Sequence, residues 1–309
     1  MATPITLLQK TGNPAIDAML IELITEFEAK LPGRISGYYV LGSYADGSGV
    51  KSSDLDIDLL LNPCPPEDRQ SAQELAQIWI ERSFVELEIE LEEKELLRQG
   101  VPPNFKYGST LLYGEDVRDD LPLLSLPVWT RDRMHSSYWR TVHLFGRSTP
   151  IRFPLEYPDP QGEFFGYDAR LLRLKDGREV PCTRDLIRLV GWSATGLLAW
   201  KAGKYVARKK DCHRLYQECF ADEWGQLLQE IYEKCRGRWN YLIPEQETAR
   251  RELREICART LDFENHFLQQ YKSFLLQEFA SADPEGRRMA LWVLNEAPYE
   301  DREVQEARV

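Results

Sequence analysis

The stretch Ser53-Asp54-Leu55-Asp56-Ile57-Asp58-Leu59-Leu60-Leu61 limits the fold more than any other part of this sequence. Acidic and apolar residues alternate there with a period of two, which is the signature of a strand with two unlike faces. On a strand, Asp54, Asp56 and Asp58 share one face, and Leu55, Ile57 and Leu59 share the other. The apolar run ending at Leu61 requires burial, so this strand must lie in a sheet with at least one covered face. The carboxylate face then needs solvent or a cation, because three like charges along one strand repel one another.

The flanking segments supply the rest of such a sheet. Apolar residues recur at helical spacing from Asn13 to about Lys30 (Ile16, Met19, Leu20, Leu23, Ile24, Phe27), and Pro32-Gly33 stops the pattern. Ile35–Leu41 reads as a strand ending at Gly42-Ser43, and Gln70–Arg82 reads as a second helix with Leu75, Ile78 and Trp79 on one face. Phe84–Leu91 alternates Val85, Leu87, Ile89 and Leu91 with Glu86, Glu88 and Glu90, giving a third strand with an acidic face. Ser109–Tyr113 reads as a fourth strand, and Gly114–Pro127 as an exit loop. The expected fold class is α+β: an N-terminal domain, residues 1–130, with a mixed sheet and flanking helices, followed by a C-terminal helical bundle.

Prolines at 150, 154, 158 and 160 break the region Val128–Pro181. Residues 131–183 are therefore expected to form a connecting elaboration, with a hairpin from Arg170–Leu174 to Arg178–Val180 turning at Asp176-Gly177. From Arg184 to about Phe279 the period is helical, with breaks near Gly203, near Gly237 and at Pro244, predicting four or five packed helices. The domain of residues 184–309 is expected to end in a polar, partly loose tail after Ala280.

A chain of 309 residues accommodates two such domains. A net charge of −11 opposes tight binding to nucleic acid, whose affinity comes mostly from Lys and Arg displacing counterions. Cys64, Cys182, Cys212, Cys219, Cys235 and Cys257 form no metal-binding or disulfide pattern. No apolar run has membrane-spanning length, so a soluble cytoplasmic protein with reduced thiols is expected. His135, His143, His213 and His266 lack ligand spacing and are expected to serve packing roles, as are Trp192 and Trp200.

Phosphoryl-group transfer asks a protein for carboxylates that hold Mg²⁺ and donors that cradle phosphates, and both occur here in close succession. Gly42-Ser43 ends one strand, and ten residues separate Ser43 from Asp54. The span Val40-Leu41-Gly42-Ser43-Tyr44-Ala45-Asp46-Gly47, continued by Ser53-Asp54-Leu55-Asp56, resembles the Gly-Ser and Asp-x-Asp motif of the DNA polymerase β-type nucleotidyltransferase superfamily. The resemblance implies that Gly42 and Ser43 bind the β and γ phosphates of a nucleoside triphosphate and that Asp54 and Asp56 ligate Mg²⁺. Asp56-Ile57-Asp58 also satisfies Asp-x-Asp, so Asp58 stays a candidate ligand, although the Ser53-Asp54 junction and the ten-residue gap favour the earlier register. The family places a further carboxylate on a neighbouring strand to ligate metal or deprotonate the acceptor. Glu86, then Glu88, fit that role by position, and Glu90 shares their face.

A narrower resemblance, to aminoglycoside adenylyltransferases of the streptomycin/spectinomycin type, rests on Leu111-Leu112-Tyr113-Gly114-Glu115-Asp116-Val117-Arg118 and on the helical segment Arg184–Trp200 with Lys201-Ala202-Gly203-Lys204-Tyr205-Val206. It implies ATP as co-substrate, a small-molecule acceptor, and a triphosphate-binding lysine at a helix start. Lys210 matches that position best and Lys209 nearly as well; Arg208 completes a basic triplet. An acidic cleft suits a cationic, aminoglycoside-like acceptor entering between the domains. Two other readings are a nucleotide-binding or interaction module that no longer catalyses, and a transferase that modifies a partner protein. The first is opposed by candidate carboxylates at every expected position, the second by the large helical half.

Overall fold

The strand that carries the alternating acids is an interior strand of a four-stranded sheet. The computed structural model describes residues 4–174 and 177–308. They fall into two compact units: residues 4–125 with Ala207–Lys209, and residues 126–206 with 210–308.

In the first unit the elements run α1 (Pro14–Lys30), β1 (Ile35–Val40), α2 (Gly42–Ala45), β2 (Leu55–Leu61), α3 (Pro66–Arg82), β3 (Leu87–Glu93), α4 (Pro103–Gly108) and β4 (Thr110–Gly114). The sheet order is β3-β2-β1-β4, with β1 antiparallel to β2 and β4, and β2 parallel to β3. Asn13 caps α1 by accepting from the Ala15 and Ile16 amides, and Pro14 starts the helix at no loss of a useful donor. Leu55, Ile57, Leu59 and Leu61 point to one face of the sheet, where Ile16, Leu20, Leu23 and Phe27 of α1 and Leu75 and Trp79 of α3 cover them. Each such buried side chain stabilises the fold by roughly 1.5–3 kcal/mol. A one-residue slip would bring Asp56 and Asp58 under the helices instead, so this face fixes the register. The opposite face carries Asp56, Asp58 and Leu60, and Leu60 joins Tyr39, Leu41, Val101, Phe105 and Leu111 in a smaller cluster.

The Leu8 amide donates to the Leu112 carbonyl at 2.8 Å, so the N-terminal segment lies along the outer side of β4. β3 starts at Leu87 rather than at Phe84, which is 49% exposed. Its strand partner is β2, whose pairing opens at Leu55↔Leu87, and the Val85 amide donates instead to the Ser83 hydroxyl at 3.2 Å.

In the second unit, α5 (Leu126–His143) occupies the first third of the region read from sequence as a broken connection. Its buried stripe mixes apolar residues with Thr130, His135, Ser137 and Thr141, which blurs the apolar period. Ser137 Oγ donates to the Arg133 carbonyl at 2.6 Å, Thr141 Oγ1 to the Ser137 carbonyl at 3.0 Å, and His135 Nδ1 lies 2.8 Å from Tyr271 Oη, while His135 Nε2 is buried with no partner among the described residues. The hairpin forms as β5 (Arg170–Arg173) and β6 (Glu179–Cys182); Asp176 of its expected turn lies outside the described residues.

Helices α6 (Arg184–Ala202), α7 (Cys212–Cys219), α8 (Trp224–Glu230), a π-helical segment Ile231–Arg238, and α9 (Glu247–Ala280) follow. α9 is 34 residues long and buries a stripe from Leu253 to Phe279, against which α5, α6 and α8 pack. The tail is not loose: α10 (Pro284–Glu296) and α11 (Arg302–Ala307) bury Ala290, Val293, Leu294 and Val304 against α9. Asn265 Oδ1 accepts from the Leu155 amide, and Ile151 exchanges backbone bonds with Pro298 and Glu300, so the proline-rich segment is tied to α9 and the tail. All six cysteines are free. Among the described residues no helix is long and apolar enough to cross a membrane.

One buried ion pair fastens the proline-rich segment at its start. Glu264 of α9, 1% exposed, accepts from Arg147 Nη1 at 2.7 Å and Nη2 at 2.9 Å, and also from the Tyr167 hydroxyl. Glu264→Leu leaves Arg147 as an uncompensated buried charge and is expected to cost about 3–5 kcal/mol in urea unfolding. Adding Arg147→Met should recover most of the loss.

His135 sets an acid limit on stability. Burial, then the nearby Arg131 charge, pushes its pKa down to about 3 from 6.5. The unfolded chain takes up a proton below pH 6.5 that the native imidazole refuses, so this contribution is complete above 6.5 and lost as pH falls toward 3. His135→Gln should flatten the acid limb of unfolding free energy across that window, whatever it does at neutral pH.

Candidate metal and nucleotide site

The end of β1 and the start of β2 meet at a turn that only glycine fits. Gly42 has φ +63°, and a Cβ built on it would lie 2.5 Å from Asp56 Oδ2. The Leu41 amide donates to the Asp56 carbonyl at 2.9 Å, which holds the two strands together at this point. α2 follows as a single helical turn, and the loop back to β2 is braced from within. The Ser48 amide donates to the Ser43 carbonyl at 3.0 Å and to Asp46 Oδ1 at 2.9 Å. Ser53 is buried, and its hydroxyl accepts from the Val50 amide at 2.9 Å, closing a turn directly before Asp54. Ser43 Oγ is buried and has no hydrogen-bond partner among the described residues. A hydroxyl left in that state lowers stability by roughly 1–3 kcal/mol unless a ligand engages it.

The parallel register of β2 and β3 sets Asp56 beside Glu88 and Asp58 beside Glu90. Carboxylate oxygens of Asp54, Asp56 and Glu88 all lie within 4.8 Å of one another; the two aspartates are partly buried and Glu88 is exposed. At that spacing, with an effective dielectric near 20, each pair of negative charges repels by about 3 kcal/mol. A divalent cation relieves that repulsion, and oxygen donors alone make a hard set of the kind that Mg²⁺ accepts. The donor set therefore fits the metal that the sequence implied.

The other sequence candidates occupy different places. Asp58, one step along the strand, is outside this group of three; burial first, then Glu92, Glu90 and Asp56, push its carboxyl up to about 8, which disfavours the charged form. Glu86 lies just before β3, is exposed, and meets β2 through its carbonyl, which accepts from the Leu55 amide at 2.8 Å. Glu90 is exposed opposite Asp58. Lys209 is exposed and belongs to the first unit; Lys210 is partly buried and belongs to the second.

Tyr44 and Ser53 were not singled out from the sequence as site residues. The Tyr44 hydroxyl is held above its ordinary pKa by burial and by the charge of Asp54. The signal for Ser53 was present in its position before Asp54, since serine closes tight turns. No comparable signal marked Tyr44.

No family model matches this sequence, and no curated protein matches it. Among solved structures the chain is similar to a crystal structure of the spectinomycin adenyltransferase AAD(9) from Enterococcus faecialis with ATP and spectinomycin. The identity is 14% and the TM-score 0.41, over 81% of this chain and 98% of that one. A likeness of that size describes a rough course of backbone, and the chemistry rests on the side chains above.

Gly42→Ala tests the tightness of the turn. Its methyl must displace the Asp56 carboxylate or distort the left-handed backbone, and divalent-cation affinity is expected to fall about 10–100-fold. Titration of Mn²⁺ or Mg²⁺ by calorimetry or by thermal shift measures it.

Proposed function

We propose that this protein is a Mg²⁺-dependent nucleotidyltransferase that moves AMP from ATP to a hydroxyl of a small-molecule acceptor. The observation that carries this reading is the convergence of Asp54, Asp56 and Glu88 within 4.8 Å, from the start of β2 and the adjacent β3. The buried, unpartnered hydroxyl of Ser43 beside the Gly42 turn supports it.

Asp54 and Asp56 hold the metal, with Asp58 as the alternative ligand. A Mg²⁺ ion held by these residues would supply countercharge to the triphosphate and Lewis-acid polarisation of the phosphoryl group. Gly42 and Ser43 bind phosphate oxygens, the Ser43 hydroxyl gaining the acceptor it lacks. Glu88, or Glu86 if the strand end shifts, takes the proton from the acceptor hydroxyl as its oxygen bonds to the α-phosphorus and pyrophosphate leaves. Lys209 and Lys210 supply countercharge to the triphosphate. The exposed carboxylates of Glu88 and Glu90 beside the site favour a cationic acceptor of the aminoglycoside kind. Six free thiols suit a reducing cytoplasmic setting.

Purified protein given Mg²⁺, α-labelled ATP and a panel of amino sugars should transfer label, and Asp56→Asn should lower the rate by about 10²–10³-fold. ATP with Mg²⁺ should also raise the melting temperature of the native protein. Undiminished transfer by Asp56→Asn would sink the metal assignment; absence of any nucleotide-dependent stabilisation would sink the enzyme reading.

A further inference from the structure

The corner between α4 and β4 joins two segments far apart in sequence. Gly108 is buried, and its backbone is not in the left-handed region, so its own conformation does not call for glycine. Space does. A Cβ at this position would lie 2.5 Å from the Ala207 carbonyl oxygen, 3.4 Å from the Ala207 carbonyl carbon and 3.8 Å from Arg208 Cγ. Ala207–Lys209 is part of the first compact unit, and it is seated there directly on Gly108. Arg208 Nη2 reaches the Tyr107 carbonyl at 3.5 Å.

Two residues further on, Thr110 Oγ1 donates to the Ala45 carbonyl at 3.0 Å, at the last residue of α2. α2 is the turn that begins with Gly42-Ser43. Between these two ties the corner is locked. The Ser109 carbonyl accepts from Arg118 Nη1 at 2.6 Å, and Arg118 is itself held by Asp116 through Nε at 2.9 Å and Nη2 at 2.6 Å. Lys106 Nζ adds a bond to the Arg118 carbonyl at 2.7 Å.

We infer that Gly108-Ser109-Thr110 is a positioning element that registers the exposed cations Arg208 and Lys209 against the Gly42-Ser43 turn, with Gly108 as the seat and Thr110 as the tie. The inference rests on the nucleotidyltransferase reading for its ligand, a nucleoside triphosphate. Neither Gly108 nor Thr110 touches the triphosphate; both act through the segments they hold. A long flexible cation gains little by itself, because ordering it opposes binding. Fixing the backbone of Ala207 removes part of that cost before the nucleotide arrives.

The experiment compares wild type, Gly108→Ala and Thr110→Val in two assays. In steady-state kinetics with Mg-ATP, both variants should raise KM for ATP by about tenfold while kcat at saturation changes much less, the pattern of lost binding rather than lost chemistry. In limited trypsin digestion, Gly108→Ala should speed cleavage after Arg208 and Lys209, whereas Thr110→Val should leave it at the wild-type rate. If Gly108→Ala does not fold, Thr110→Val carries the kinetic arm alone. Wild-type KM in the folded variants, with only a lower melting temperature, means the corner is merely structural and overturns the inference. Trypsin cleavage of Gly108→Ala at the wild-type rate overturns the seat. A wild-type protein that neither binds nor turns over ATP defeats the enzymatic reading instead, and the digestion arm still reports on the seat.

Discussion

The parallel pairing of β2 with β3 is the constraint on which the candidate site depends. One side of that pair is apolar and closed by α1 and α3, and it holds the register against slippage. The other side collects acids that would separate if they were free to do so. Hydrophobic burial under the sheet thus holds like charges together on top of it. Asp56 and Glu88 face each other because Leu55 and Leu87 do so one residue earlier. The arrangement is preorganised: Asp56 and Glu88 are set by strand pairing over the core, and Asp54 by the Ser53 turn directly before β2.

Much of this was legible in the sequence because β2 states both of its faces in seven residues. Alternation told which aspartates share a side, and Gly42-Ser43 marked where the preceding strand had to stop. The pairing of β3 was not legible, since alternation gives faces but not register. Glu86 and Glu88 are equivalent to a reader of period two, and only the first rung, Leu55↔Leu87, places Glu88 next to Asp56. α5 escaped for a different reason. Its buried stripe is rich in hydroxyl and imidazole groups that bond within the helix or to Tyr271, so its inward face does not read as apolar. Gly108 gave no local sign at all, because the atom that forbids a side chain there comes from Ala207, 99 positions along.

The proline-rich segment and the tail show how the second unit compensates for weak local structure. Neither has strong helical or strand periodicity near its ends, and both are fixed through α9. Glu264 and Asn265, adjacent on that helix, hold Arg147, Tyr167 and Leu155, and Ile151 bonds to the chain just before α11. Breaking prolines are tolerated because side chains and a long rigid helix satisfy the backbone groups that regular structure would otherwise use.

β3 has one further property. The N-terminal segment covers the outer side of β4, and β3 is the other outermost strand of the sheet. A bare strand edge invites another chain to add on, and natural proteins discourage this with charge. Glu86, Glu88, Glu90 and Glu92 line that border. Negative charge beside the site is thus also of the kind that keeps a strand edge unpaired, and a chain that neutralised these glutamates to gain a different chemistry would give up that protection in the same step.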